Sequence, residues 1–284
     1  MKEVILAKSA GFCFGVKRAV ESVEKAAEKA EGPVYTLGPI VHNGQVVKSL
    51  EEKGVRVIQD EDELDNIHEG TIIIRSHGIT RALREKLDGL GVNVIDATCP
   101  FVRKIHKIAE KCGREGQVLI IAGDPHHPEV QGILGWTEGE SIVIENLEQM
   151  EQLELPPGKK AVLVAQTTFN ASKFEEIVES FEKKRYHNYV EKTVCSATDE
   201  RQAEAREIAR KVDAMIVIGG AHSSNSRKLY NICREDCRNT YFVETLVDLE
   251  LKPFQSLSRV GITAGASTPN SIIEEVREYV RTEL

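Results

Sequence analysis

The sequence predicts an α/β protein made of three related parallel-sheet units. Short apolar runs alternate with segments of helical periodicity, the alternation recurs three times, and a cysteine stands at the same point of each repeat. The composition agrees. Of 284 residues, 41% are hydrophobic and only 5% aromatic, the balance of a folded α/β chain with ample core.

The repeat is marked by Cys13, Cys99 and Cys195, each after an extended apolar segment: Val4 to Leu6, Val92 to Ile95, and Val190 to Val194. Behind each cysteine, apolar residues spaced three and four apart predict a helix. The first runs through Val16, Ala19, Val20 and Val23, the second through Phe101, Ile105, Ile108 and Ala109, and the third through Ala205, Ile208, Ala209 and Val212. A strand-like run then starts at Val34, Val118 and Ala214, 19 to 21 residues past its cysteine.

These strands empty into polar tips at nearly one offset: His42 in PIVHNG, His127 in DPHHPEV and Ser223 in AHSSNS. A second strand in each third ends in another tip, holding His77 (IIIRSHG), Thr167 and Thr168 (VLVAQTTF) and Ser267 (VGITAGAST). Parallel sheets bind ligands beyond the carboxyl ends of their strands, so the tips belong on one functional edge of each unit. The predicted units are 1–98, 99–190 and 191–284. Only packing about a pseudo-threefold axis, a trefoil, brings three cysteines and six polar tips to one point. A triplicated fold with a structural cysteine per copy is the simpler alternative, but core packing gives no reason for His and Ser at equivalent strand ends.

Six cysteines in an acidic chain whose N-terminus carries only a short apolar run predict a reducing, cytoplasmic setting, where patterned cysteines bind metal or catalyse. Three isolated thiolates suit a [4Fe-4S] cluster with one iron left open, a Lewis acid that also delivers electrons; a three-cysteine zinc site is the alternative. Each cysteine precedes a helix, whose N-terminal N–H groups favour a thiolate. Gly11 and Gly15 in GFCFGVKRA leave room for backbone to pass a bulky group. Cys112, Cys233 and Cys237 fall outside the repeat and are read as packing residues.

His42, His77 and His127, with Ser223, Ser224, Asn225 and Ser267, offer the many donors that phosphate oxygens need. Glu129 in HHPEV is the one tip carboxylate and the candidate proton donor, with helix capping after Pro128 as its alternative. Thr167 is placed to relay a proton or orient a substrate hydroxyl.

GFCFGVKRA, GPIVHN, RSHG, DATCP, HPEV, QTT, SSNS and TAGASTP together resemble the LytB family of 4-hydroxy-3-methylbut-2-enyl diphosphate reductases, over residues 3 to about 280. The resemblance implies a trefoil of three α/β domains around one [4Fe-4S] cluster. It implies removal of the substrate's C4 hydroxyl by two electrons and two protons, the last step of the non-mevalonate isoprenoid pathway. Cys13, Cys99 and Cys195 would bind the cluster; His42, His77, His127, Ser223, Ser224, Asn225 and Ser267 would hold the diphosphate; Glu129 would deliver protons and Thr167 assist. A ferredoxin or flavodoxin is implied as electron donor. Two other readings compete: a non-catalytic cluster protein that senses redox state with a phosphorylated ligand, and a cluster dehydratase needing no reductant. A formal charge of −8 argues against nucleic acid, and no stretch approaches the ~20 apolar residues of a membrane helix.

Overall fold

A computed structural model describes residues 3–29, 31–156, 158–184, 187–250 and 257–283. In chain order the first elements are β1 (Glu3–Leu6), α1 (Phe14–Lys29), β2 (Val34–Leu37), α2 (Gly44–Glu52), β3 (Val55–Ile58), β4 (Thr71–Ile74), α3 (Arg81–Gly89) and β5 (Asn93–Asp96). Next come α4 (Pro100–Arg114), β6 (Val118–Ala122), α5 (Pro128–Leu134), β7 (Ser141–Ile144), α6 (Leu147–Gln152), β8 (Lys160–Ala165), α7 (Ala171–Lys183) and β9 (His187–Val190). The last are α8 (Ser196–Ala209), β10 (Ala214–Ile218), α9 (Ser224–Asp236), β11 (Thr240–Val243), β12 (Arg259–Ala264) and α10 (Asn270–Glu283).

The strands form three four-stranded sheets, ordered β3-β2-β4-β5, β7-β6-β8-β9 and β11-β10-β12-β1, and every pairing is parallel. All three share one topology. A first strand joins its successor on one side and the next strand on the other, which puts a switch point, the usual ligand crevice, between the two central strands. The strand before each cysteine is always the outer neighbour of the second central strand. For Cys13 that strand is β1, whose Glu3 to Leu6 align with Arg259 to Ile262 of β12, so the N-terminal strand completes the sheet of the last third.

Two compact units divide the chain. One comprises Met1–Lys17, Val41–Ser49 and Ser196–Leu284; the other comprises Arg18–Ile40 and Leu50–Cys195. In the first, Ile216, Ile262 and Val260 of the sheet pack with Ile273, Val276 and Val280 of α10 on one face, and Met215 and Val217 pack with Ala205, Ile208 and Leu229 on the other. Val212, expected in α8, lies past its end and still packs on that core. In the second, Ile120 and Leu163 meet Phe174, Ile177 and Phe181 of α7, and the opposite face takes Ile105, Ala109 and Cys112 of α4. Central strands covered on both faces explain the near-continuous apolar runs VLIIA and AMIVI.

The extended segment expected at Val190 to Val194 is displaced: β9 ends at Val190 and 191–194 form a connection. The cause is a side chain that substitutes for the ladder. The Thr193 hydroxyl accepts from the Ala165 N–H (2.7 Å) and donates to the Ala165 carbonyl (2.7 Å), satisfying both groups where the strand has ended. Thr193→Val keeps the shape and leaves both groups buried and unpaired. It is expected to lower unfolding free energy by roughly 1–3 kcal/mol, while Thr193→Ser stays near wild type, as read by denaturant titration.

α4 supports the turn that carries His77. Gly78 there has φ +73°, and a Cβ on it would stand 2.5 Å from Cε1 of His106. His106 is buried, stacks on Trp136 (5.4 Å between ring centres) and has no hydrogen-bond partner for Nε2 among the described residues. Trp136 in turn donates its indole N–H to the Ile79 carbonyl (2.7 Å). Burial pushes the His106 pKa down to about 4, with Asp96 opposing and Arg103 adding to the fall. Between pH 6.5 and about 4 the unfolded chain therefore binds a proton that the folded chain refuses. The contribution is present above pH 6.5 and lost as pH falls through that window, by up to about 3 kcal/mol. His106→Gln is expected to flatten the fall in denaturant midpoint across that window relative to wild type.

Candidate active site

In all three repeats the cysteine is fixed by the same backbone contact. The Cys13 N–H donates to Ala266 O (3.2 Å), Cys99 N–H to Ser76 O (3.0 Å) and Cys195 N–H to Thr167 O (3.0 Å). Each acceptor lies two residues past the end of the neighbouring central strand, β12, β4 and β8. The cysteine is thereby tied to the polar tip beside it, so Cys13 adjoins the tip of Ser267, Cys99 that of His77 and Cys195 that of Thr167 itself.

Each cysteine stands at the start of a helix, α1, α4 or α8, and Cys99 is the N-cap of α4 with no side-chain capping bond, followed by Pro100. All six cysteines lack disulfides, but only these three are half-buried. Burial drives the thiol pKa of Cys112 up to about 11 and of Cys233 up to about 12, and Cys237 is also raised. Those three thiols point into cores and keep their protons, as the sequence reading expected. Three half-buried thiols at helix N-termini are soft, anion-stabilised donors that fit an iron–sulfur group.

Clamps absent from the sequence reading hold the cysteine loops. Arg201, on α8, donates to Ser9 O (2.9 and 2.6 Å) and Gly11 O (2.8 Å). Glu204, one turn on, accepts from the backbone N–H of Lys8 (2.8 Å) and from the N–H and hydroxyl of Ser9 (2.8 and 2.5 Å). Burial alone would raise the Glu204 pKa; the Ser9 and Lys8 hydrogen bonds outweigh it and bring it below the ordinary carboxylate value. Gly11 serves this turn, with φ +97° and a would-be Cβ 3.1 Å from Ile273. Before Cys99, Asp96 accepts from the Thr98 N–H (2.9 Å) while Arg18 donates to the carbonyls of Thr98 (2.9 Å) and Asp96 (3.2 Å).

In the unit holding β6 and β8, Glu129 is 1% exposed and meets Thr167 across the switch point. The Thr167 N–H donates to Oε1 (2.6 Å) and its hydroxyl pairs with Oε2 (2.7 Å). The helix-capping alternative for Glu129 goes to its neighbour: Nδ1 of His127, the α5 N-cap, accepts from the Glu129 N–H (3.1 Å). A neutral His127 consequently carries its proton on Nε2 as a donor. Its ring lies edge-on to His77, 5.4 Å between centres.

In the other unit Ser223 caps α9, accepting from Ser226 N–H (3.3 Å) and Ser226 Oγ (3.0 Å), and Ser224 opens that helix. Asn225 is 5% exposed, and neither its Oδ1 nor its Nδ2 has a hydrogen-bond partner among the described residues. A buried amide left unpaired on both atoms is costly unless a ligand completes it. Ser267 donates to His42 O (3.4 Å), and Asn43 follows, its Oδ1 accepting from Gln45 and Val46 N–H (3.1 and 3.2 Å) at the start of α2. Sequence reasoning passed over Gln166, fully buried beside Thr167 with its Nε2 unpaired among the described residues. Its place in the QTT run was the available signal.

Comparison with known proteins places the chain in a family. The sequence profile of the family described as LytB protein matches residues 4–281. The 4-hydroxy-3-methylbut-2-enyl diphosphate reductase of Caldanaerobacter subterraneus subsp. tengcongensis is 45% identical over 282 residues, covering 99% of this chain and 97% of that protein. The Geobacter sulfurreducens protein of that name is 46% identical over 279 residues, 98% of this chain and 97% of its own length. Among solved structures, the E-1-hydroxy-2-methyl-but-2-enyl-4-diphosphate reductase of Plasmodium falciparum matches with a TM-score of 0.90 at 31% identity, covering 99% of this chain and 87% of that one. With the profile spanning nearly every residue, the chain belongs to the LytB protein family.

Proposed function

We propose that this protein is a 4-hydroxy-3-methylbut-2-enyl diphosphate reductase, converting its substrate to isopentenyl and dimethylallyl diphosphate in the cytoplasm. The observation that carries the reading is the buried Glu129–Thr167 pair beside the Cys195 anchor, an acid and a relay at the tip that also positions a thiol. Cys13, Cys99 and Cys195, one from each third (1–98, 99–190 and 191–284), would hold one [4Fe-4S] cluster. That group would supply electrons and a Lewis-acidic iron for the substrate hydroxyl.

The remaining work falls to the chain's own side chains. Asn225, Ser223, Ser224 and Ser267, with His42, His77 and His127, are the donors proposed for the diphosphate. The Nε2–H of His127 is the best defined of these, because Nδ1 is already committed to Glu129 N–H. Loss of the C4 hydroxyl as water needs one proton on the leaving oxygen, and the second proton, with the two electrons, forms the new C–H bond of the product. A protonated Glu129 can donate to the Thr167 hydroxyl at 2.7 Å while that hydroxyl passes its own proton on. The Thr167 N–H holds the other carboxyl oxygen, so the carboxyl cannot rotate away from the relay.

Two experiments test this. Glu129→Gln keeps size and shape but has no acidic proton, so substrate binding and visible cluster absorption should survive. Its turnover with dithionite and a viologen should fall by roughly 10²–10⁴-fold. A redox sensor would lose nothing in that variant, and a dehydratase would turn over without reductant; either result refutes the proposal. Separately, Cys13→Ser, Cys99→Ser and Cys195→Ser should each abolish the visible absorption of the anaerobically prepared protein. Cys112→Ser and Cys233→Ser should keep it, and equal loss at Cys233 would overturn the ligand assignment.

A further inference from the structure

The chain carries a net charge of −8, yet one helix is strongly basic. α4 bears Arg103, Lys104, Lys107, Lys111 and Arg114 against the single carboxylate Glu110, and no other helix among the described residues exceeds a net charge of one positive. All five cations are exposed. Arg103 pairs with the half-buried Asp96 (3.0 Å), whereas Lys104 and Lys111 meet only the exposed carboxylates of Glu191 (3.4 Å) and Glu115 (3.8 Å), and exposed pairs of this kind hold weakly. Lys107 and Arg114 pair with no carboxylate among the described residues.

The helix macrodipole accounts for Lys111 and Arg114 in the last turn. It works against Arg103 and Lys104 near the first, so helix stability does not explain their placement. The face is also shaped. A cavity of about 420 Å³ opens on it, lined by Arg103, Lys107 and Glu110 of α4 together with Arg84, Asp96 and Trp136. At the head of the helix Phe101 is 44% exposed, and the residue capping it is Cys99.

We propose that the exposed face of α4 is the docking surface for an acidic one-electron carrier protein of the flavodoxin or ferredoxin type. The inference rests on the reductase reading, which fixes the need. Each turnover takes R–OH, two electrons and two protons to R–H and water, so two reduced carriers must each give up one electron. An acidic carrier is repelled by an acidic enzyme except where local charge is reversed, and that reversal occurs on the helix that Cys99 caps. Lys107 lies roughly 12 Å along the helix axis from Cys99. The carrier's carboxylates would meet Arg103, Lys104 and Lys107, and Phe101 would supply the apolar contact that interface centres favour.

The test compares two reductants on the same anaerobic holoenzyme: dithionite with methyl viologen, which needs no docking, and photoreduced bacterial flavodoxin. The variant Lys104→Glu/Lys107→Glu/Lys111→Glu should keep its visible absorption and viologen-driven turnover while losing about 10-fold or more in kcat/KM for flavodoxin. The flavodoxin rate of wild type should fall with added salt and that of the variant should not. The charge-removing variant Lys104→Gln/Lys107→Gln/Lys111→Gln, which adds no repulsion and guards against misfolding, should move the same way by less. A control with the same change of charge elsewhere, Lys25→Glu/Lys48→Glu/Lys173→Glu, should lose less than the α4 variant.

Binding of oxidised flavodoxin, followed by its flavin anisotropy, reads docking without turnover. If wild type fails with viologen, the reductase reading falls, and anisotropy still decides the docking surface. Unchanged flavodoxin kinetics and binding in both α4 variants would overturn the inference. So would equal loss in the control, or parallel loss of both reductant rates with absorption intact. Binding of a single-stranded oligonucleotide, abolished by the same substitutions while flavodoxin is unaffected, would assign the face to nucleic acid instead.

Discussion

Everything proposed for this site depends on one hydrogen bond made three times: the N–H of each repeat cysteine to a carbonyl two residues beyond the adjacent central strand. Side chains alone could not fix a thiol, whose χ1 leaves it free to swing. Anchoring the backbone N–H at the helix start sets where the Cα–Cβ bond begins and removes one of the donors that a helix N-terminus otherwise leaves unpaired. The same carbonyl belongs to the tip that carries Ser267, His77 or Thr167. The anchor therefore fixes metal-ligand and substrate-contact candidates against each other in one step.

An anchor is only as rigid as the loop that leads to it, and the three loops are held by unrelated chemistry. Arg201 and Glu204 clamp 8–11 with charge-assisted bonds, Asp96 and Arg18 hold 96–98, and a neutral hydroxyl at Thr193 closes the third. The repeat has kept the geometry of the anchor and let its supports diverge. That is the behaviour expected when the constraint is on the position of the thiol rather than on any particular neighbour.

This divergence explains what the sequence made legible. The cysteines, the first central strands and the polar tips sit at near-constant offsets, so the period exposed them, and β2, β6 and β10 begin at the expected residues. β3, β7 and β11 escaped notice because a four-residue strand such as VRVI or SIVI carries too little pattern to separate from a loop. Register between Glu3 and Arg259 leaves no local trace, which is why the destination of β1 needed coordinates. Thr193 and Arg201 were invisible for a related reason: a Thr before a cysteine and an Arg on a charged helix are ordinary residues until their partners, Ala165 and Ser9, are known.

The chemistry follows from where polar groups are left incomplete. Evolution tolerates few buried side chains without partners, since each costs the full desolvation of its atoms. Asn225, with both amide atoms unpaired among the described residues, and Gln166, with an unpaired Nε2, adjoin the Ser223 and Thr167 tips. Glu129, by contrast, has both carboxyl oxygens held by Thr167, at the same tip as Gln166. A group meant to meet a diphosphate has to be available to it, whereas a group meant to pass protons has to be held in line with its relay. The proposed roles draw on that contrast: the open amide of Asn225 suits a diphosphate contact, and the doubly held carboxyl of Glu129 suits a proton relay.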